Sequence, residues 1–223
     1  EVKAQLDDLV AEGVLEPVAD SEWASPLVLV KRAQGGQIRI CGDFRRLNSI
    51  TTPSVQVIPR IDTCLQRLSG AVYFTSVDLK SAYHQLPVAE KDRPKTTIAT
   101  EFGLFRYTTA PYGIQGIPHS FNRALRLVLA GVPPETVIQY FDDVMVLSTT
   151  LDEMHGNLET VLAALKRAGL TVSLKKLQLC REEVNFLGFT VSAAGVRCDP
   201  DKVKVIQDWP PPVNAKQVRV FLG

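Results

Sequence analysis

Asp142 and Asp143 stand side by side in TVIQYFDDVMVLS, between Val137-Ile138 and Val144-Met145-Val146-Leu147, with bulky Tyr140 and Phe141 just before them. Adjacent carboxylates beside apolar chain repel each other and lose hydration unless a cation compensates. A third acid, Asp78, ends a separate β-rich run, AVYFTSVDL, 64 residues before Asp142. Three carboxylates brought to one sheet edge would suit hard divalent ions, and magnesium in particular takes one or two carboxylates plus substrate phosphates. Two such ions about 4 Å apart can activate a hydroxyl and stabilise a leaving pyrophosphate, which is the chemistry of nucleotidyl transfer. The plainer alternative is a hairpin corner with two solvated acids, because Asp is common in turns.

Such a constellation needs elements to carry it. Val2, Leu6, Leu9 and Val10 share a helix face that Gly13 stops. SPLVLVKRAQGGQIRICGDFRRLN reads as two strands around Gln34-Gly35-Gly36-Gln37, followed by irregular chain to about Arg60. IDTCLQRLSG reads as a short helix ended by Gly70, and AVYFTSVDL as a strand. TTIATEFGLFRYTTAPYG suggests a hairpin around Gly103, and residues 120–130 have helical periodicity. TVIQYFDDVMVLS reads as two apolar strands around the Asp pair. LDEMHGNLETVLAALKRAGL is the clearest helix, closed by Lys166-Arg167 and Gly169. VNFLGFTVS suggests another strand pair, and Trp209 with three prolines a stiff break. Strand pairs joined by short turns favour an α+β fold with an antiparallel sheet.

The chain has 223 residues, 45% apolar and 22% charged, which excludes disordered and fibrous classes. No apolar run approaches the roughly 18 residues of a membrane span, so no membrane partner is expected. Cys41, Cys64, Cys180 and Cys198 lack metal-binding spacing and read as reduced, mostly buried thiols. Net charge is +1, but residues 160–223 hold ten basic and five acidic side chains. A basic C-terminal third is compatible with a polyanion, although a solvated helix face explains most such runs.

WASPLVLVKR, ICGDFRRLN, IPRID, SVDLKSAYHQLPV, PKTTIAT, PYGIQGIPHSF, YFDDVMVLS, NFLGFTVSAAG and DWPPP…VRVFLG occur in this order along the whole chain. In these blocks the sequence resembles the reverse transcriptases of gypsy-type LTR retrotransposons and, more distantly, of retroviruses. The resemblance implies a right-hand polymerase of fingers and palm, with an antiparallel palm sheet packed on helices. By the same likeness, 1–70 is mainly fingers with the N-terminal helix, 71–95 palm, 96–113 a return to the fingers, 114–208 palm with the YFDD hairpin and primer grip, and 209–223 the start of a thumb cut short. Asp78, Asp142 and Asp143 would be the metal-binding triad, with Leu79 lending its backbone carbonyl to one of two Mg2+ ions, Mn2+ being an alternative.

Other positions follow from the same likeness. Tyr83, five residues after Asp78, would be a steric gate against the ribose 2′-OH; a lone Tyr is otherwise a core residue with its hydroxyl tied down. Lys31, Arg32 and Arg39 flank the Gly35-Gly36 turn, where two of them would close over an incoming triphosphate; basic residues on a hairpin are otherwise merely solvated. Tyr112 takes the nucleotide-facing position of PYGIQG, where retroviral relatives have Gln. Asp43, Arg45 and Asn48 fall in the template-contacting block, with Asp43 ordering Arg45 rather than touching phosphate. Leu187-Gly188 resembles the primer grip. Lys176 matches a lysine that could protonate departing pyrophosphate, although Leu177 replaces the expected Cys. His84, His119 and His155 show no pairing and receive no chemistry.

The expected activity is RNA-directed DNA synthesis on an RNA or DNA template with an annealed primer, using dNTPs. The expected partners include the rest of a Pol polyprotein, with RNase H and integrase, in a cytoplasmic virus-like particle or in the nucleus. The rivals are an RNA-dependent RNA polymerase, against which Tyr83 and the gypsy-like blocks speak, and a catalytically silent nucleic-acid-binding module, against which the three aspartates speak.

Overall fold

The computed structural model describes residues 1–31, 38–52 and 60–222. The chain runs through α1 (Val2–Ala11), β1 (Leu15–Val18), β2 (Ser25–Lys31), β3 (Ile38–Gly42), α2 (Arg45–Ile50), α3 (Ile61–Leu68), β4 (Tyr73–Asp78), β5 (Ile98–Thr100), β6 (Gly103–Tyr107), α4 (Ile117–Val128), β7 (Val137–Tyr140), β8 (Asp143–Ser148), α5 (Leu151–Arg167), β9 (Gln178–Arg181), β10 (Glu183–Phe186), β11 (Phe189–Ser192), β12 (Gly195–Cys198), α6 (Pro200–Gln207) and α7 (Ala215–Leu222). A 3-10 turn, Ala82–Gln85, follows β4.

Three sheets form. The first has the order β1-β6-β5-β2-β3, the second β7-β8-β4-β9, and the third β10-β11-β12. Among the described strands the pairings are antiparallel except that of β2 with β5. Leu6 of α1 packs with Val14, Leu15, Ile40, Phe44, Ile98, Phe105 and Tyr107 against the first sheet. Gly42 is required there, because a Cβ would lie 2.5 Å from the Phe44 ring and 2.9 Å from Ile98.

The second sheet is covered on both faces. Val144 and Val146 of β8 face α4 and α5, joining Val77, Phe121, Leu125, Met154, Val161 and Leu165. Met145 and Leu147 face the other way, into a cluster with Phe74, Ile138, Cys64 and Leu68 of α3, and Val184, Phe186 and Val191 of the third sheet. Side chains alternate across a strand, so a strand buried on both faces must read as one unbroken apolar run. Each fully buried aliphatic side chain of that run contributes about 1.5–3 kcal/mol. The long helix α5 opens on a capping box between Thr150 and Glu153 and carries Lys166 and Arg167 in its last turn.

Several elements differ from expectation. α2 covers the end of the stretch read as a strand hairpin and the start of the chain read as irregular, and α4 begins three residues early, with Pro118 in its first turn. β1, β9, β12 and α6 had no sequence signal. The Gly35-Gly36 turn lies outside the described residues, although β2 and β3 pair as its arms, with Val30 opposite Arg39. The cysteines are not mostly buried: Cys64 is, Cys41 is half-buried, and Cys180 and Cys198 are exposed. No helix among the described residues is long and apolar enough to cross a membrane.

Candidate active site

The second sheet brings the three aspartates to one end. Asp78, the last residue of β4, is the direct cross-strand partner of Asp143, the first residue of β8. Tyr140 of β7 also opposes Asp143, so Phe141 and Asp142 form a two-residue turn. Phe141 has a left-handed φ of +55°, a conformation that hairpin turns of this length reserve for Gly or Asn at their first central position. Such a residue costs about 1–3 kcal/mol and persists only where its surroundings impose it. Gln139 helps impose it: its Nε2 donates to Asn122 Oδ1 (2.8 Å) and Asn122 O (3.0 Å) and lies 3.4 Å from Phe141 O. Asn122 is buried on the inner face of α4, so the turn is braced by a helix and not only by its own strands. Gln139 and Asn122 carried no assignment from the sequence; the signal was a polar residue inside the apolar strand VIQY.

A second brace sets Lys176. Lys80 N–H donates to Thr171 O (3.0 Å), and Ser173 N–H to Asp78 O (2.8 Å). The Gln85 amide clamps the same crossing, donating to Lys80 O (2.5 Å) and Thr171 O (3.0 Å) and accepting from Thr171 N–H (2.7 Å). Lys176 N–H bonds to Ser173 O, and Lys176 Nζ reaches Asp78 Oδ2 at 3.0 Å. Leu79 is buried in the core beneath, bridged to Val172, so any role at the site rests on its backbone.

The electrostatics are those of crowded acids. Desolvation against the hairpin pushes the Asp143 carboxyl above the usual range although the residue keeps an exposed surface; Asp142 and then Asp78 push it further, and Lys176 opposes them. The donors are carboxylate oxygens only, which suits a hard divalent cation, and the mutual repulsion marks a site short of positive charge. The side chains do not form a closed cage: among the described residues no group of three Asp, Glu, His or Cys side chains is arranged so that it could hold a metal ion. The backbone brings the three carboxylates to one sheet end, where Asp142 and Asp78 both act on Asp143 and Asp78 Oδ2 pairs with the Lys176 ammonium.

Beside the turn lies an aromatic wall. The chain leaves β4 through Ser81, at a left-handed φ of +46°, into the 3-10 turn that carries Tyr83. Burial, then the charge of Asp142, then Tyr112 hold the Tyr83 phenol above its usual pKa, which ties this side chain electrostatically to the acidic tip. The Tyr83 ring lies 5.2 Å from Tyr112 and 5.7 Å from Phe121. Arg39 Cζ stands 4.5 Å above the Tyr112 ring centroid, a cation–π contact.

Asn48 fixes the loop that carries Tyr112. Its Nδ2 donates to Gly113 O (2.8 Å), and its Oδ1 accepts from Gln115 N–H (3.0 Å). Asp43 and Arg45 bind each other, with Arg45 Nη2 2.6 Å and Nε 3.1 Å from Asp43 Oδ2; this guanidinium holds the Asp43 carboxyl down at about 2. Leu187 (φ +52°) and Gly188 (φ +82°) form the tight turn between β10 and β11, both left-handed as a type I′ turn demands. Leu187 packs on the same apolar cluster as Tyr140, which brings this turn to the YFDD strand. Lys31 closes β2; Arg32 lies outside the described residues.

Known proteins resemble this chain in sequence and in fold. The chain is similar to the Retrovirus-related Pol polyprotein from transposon opus of Drosophila melanogaster, 37% identical over 100% of the chain and 22% of that protein. It is 35% identical to the corresponding polyprotein from transposon gypsy of the same organism, again over 100% of the chain and 22% of the relative. The chain therefore spans about a fifth of the length of the curated relatives it matches. Among solved structures it resembles the foamy viral protease-reverse transcriptase in complex with double-stranded DNA, with a TM-score of 0.92 and 27% identity over 100% of this chain and 38% of that one. The same viral protein in complex with RNA/DNA hybrid gives 0.86 and 26%, over 100% of this chain and 30% of that one. A family profile described as reverse transcriptase (RNA-dependent DNA polymerase) matches residues 31–191. Those residues contain the acidic sheet end, the aromatic wall and the Leu187-Gly188 turn, and the chain belongs to the reverse transcriptase family.

Proposed function

We propose that this chain forms the fingers and palm of an RNA-directed DNA polymerase that extends a primer 3′-OH with dNTPs. The observation that carries the reading is the pairing of Asp78 with Asp143 at the sheet end where the Phe141-Asp142 turn is held in a strained conformation. Strain and like-charge pairing at one place are what a fold tolerates at a functional site.

Asp78, Asp142, Asp143 and the Leu79 carbonyl would hold two divalent ions, magnesium or manganese, which supply acidification of the primer hydroxyl and neutralisation of the departing pyrophosphate. The chain's own side chains do the rest. Arg39 offers a guanidinium to the triphosphate from its seat on Tyr112. Lys31 or Arg32 would add a second positive charge at the fingertip. Tyr83 supplies bulk beside the sugar C2′ and excludes a 2′-OH. Asn48 keeps the Tyr112 loop in register with α2. Lys176, held at Asp78, carries a proton within reach of the acidic end. The Leu187-Gly188 turn brings backbone close to the primer terminus, and Arg45, ordered by Asp43, faces the template.

The second sheet with α3, α4 and α5 would serve as palm and the first sheet as fingers, with boundaries near residues 70, 95, 113 and 208. Double-stranded DNA and an RNA/DNA hybrid are the nucleic acids named for the structural neighbours, which supports a template with an annealed primer as the partner here. The Pol polyproteins named for the relatives support a unit that works within a longer chain beside RNase H and integrase.

The direct test is primer extension on poly(rA)/oligo(dT) with dTTP and, separately, UTP. Extension with dTTP in the presence of magnesium, and little with UTP, is expected. Extension with UTP alone would favour an RNA polymerase. Duplex binding without extension under any divalent ion would leave only a nucleic-acid-binding module.

A further inference from the structure

His84 carries no role in the reading above, yet its surroundings are unusual for a packing residue. Its ring lies 5.1 Å from that of Tyr112 at 64°, edge to face, and 6.3 Å from that of Tyr107. Its Nε2 is buried without a hydrogen-bond partner among the described residues. A buried polar atom left unpaired costs free energy. A phenylalanine would fill the same space without that cost, so packing alone does not account for a histidine.

Its charged surroundings are mixed. Burial holds its pKa below the usual histidine value, Glu12 just past α1 opposes that, and Arg39 of β3 adds to it. Glu12 is shared with Lys80 at 3.6 Å. Glu1, just before α1, and Asp8 of α1 line the same cavity of about 330 Å³, which reaches His84 and Tyr112. The Tyr112 ring thus has the His84 ring against it while the Arg39 guanidinium rests on it. A neutral imidazole supports that ring. An imidazolium would compete with Arg39 for the electrons of Tyr112 and repel its charge.

We infer that His84 is a positioning residue of the nucleotide pocket: neutral, it holds Tyr112 as the seat of Arg39; protonated, it unseats Arg39 and weakens triphosphate binding. The inference rests on the polymerase reading, because it requires a nucleotide beside Tyr112. It makes nucleotide affinity pH-sensitive below the ordinary histidine range, with the lost affinity appearing as pH falls.

The test is equilibrium binding of dTTP to the protein with magnesium and a template–primer ended by a dideoxynucleotide, so that no turnover is needed. Wild type, His84→Phe and His84→Ala are compared from about pH 5 to pH 8, with melting temperatures as fold controls. His84→Phe keeps the ring and should bind dTTP as wild type does at the alkaline end. Wild type should lose affinity more steeply on acidification than His84→Phe, the titration of dTTP itself being common to both. His84→Ala should weaken dTTP binding about threefold to tenfold throughout, with template–primer affinity unchanged. If His84→Ala does not fold, the contrast in pH dependence between wild type and His84→Phe decides alone. Identical pH profiles for these two would overturn the inference. Wild type that binds dTTP but never extends a primer would defeat the polymerase reading while the same comparison still decides His84. Wild type that binds no dTTP at all would overturn both.

Discussion

Asp78 and Asp143 face each other as direct partners across β4 and β8, at the ends of strands whose interiors are wholly apolar or small. Like charges directly opposite in an antiparallel pair destabilise the sheet, and here a third carboxylate, Asp142, sits in the adjoining turn. Lys176, brought in from the loop before β9, offsets them.

Asp143→Asn should therefore stabilise the metal-free protein while destroying extension. The Asp143 carboxyl is raised above its unfolded value, so the native state binds more protons in the interval just above the ordinary carboxylate range. Its unfavourable contribution is absent at acid pH and grows as pH rises through that interval. The variant should gain a few tenths of a kcal/mol at neutral pH, about 0.5 at most once solvent screening of the exposed carboxylates is counted, and lose that advantage near pH 3–4. Urea unfolding in EDTA at both pH values measures it; a variant less stable than wild type at neutral pH contradicts the repulsion argument.

Gln139→Leu should cost about 1–3 kcal/mol, because it leaves the buried Asn122 Oδ1 without its donor. It should also lower kcat more than it raises the KM for dTTP, since Gln139 braces the Phe141 carbonyl and touches no nucleotide in the proposed arrangement. Asn122→Leu in the same chain should recover part of the stability, because removing both partners is milder than stranding one, but should not recover kcat. Full recovery of both would make the pair a stability feature only.

The acidic hairpin was legible in the sequence because β8 is buried on both faces: Val144 to Leu147 must all be apolar, and the Asp pair breaks that run abruptly. α2 was not legible, because Arg45-Arg46-Leu47-Asn48-Ser49-Ile50 buries no residue and has no apolar stripe. It is held by Asp43 at its start and by Asn48 across 65 residues of chain. β9 and β12 are exposed at all four positions; β9 pairs with β4 through a bulge and the Thr75 hydroxyl, neither of which leaves a periodic signal. The Lys176–Asp78 contact spans 98 residues, and His84 looks like a lone histidine until Tyr112 is folded against it.

Tyr83→Ala should relax sugar selection. The ring is wedged between Tyr112 and Phe121, so truncation opens space without removing a charged group. The ratio of kcat/KM for dTTP to that for UTP should fall by at least ~10-fold, with the dTTP value changing less than the UTP value. An unchanged ratio would move the gate away from Tyr83.

The central claim is that the acidic sheet end performs nucleotidyl transfer. Asp142→Asn removes one charge from the Phe141-Asp142 turn and leaves the backbone of that turn able to form. The decisive measurement is single-turnover extension of a primer on poly(rA) with dTTP, alongside the Kd for the same template–primer. The account predicts a loss of at least ~10²-fold in extension with duplex affinity within about threefold of wild type. Extension within tenfold of wild type would contradict it.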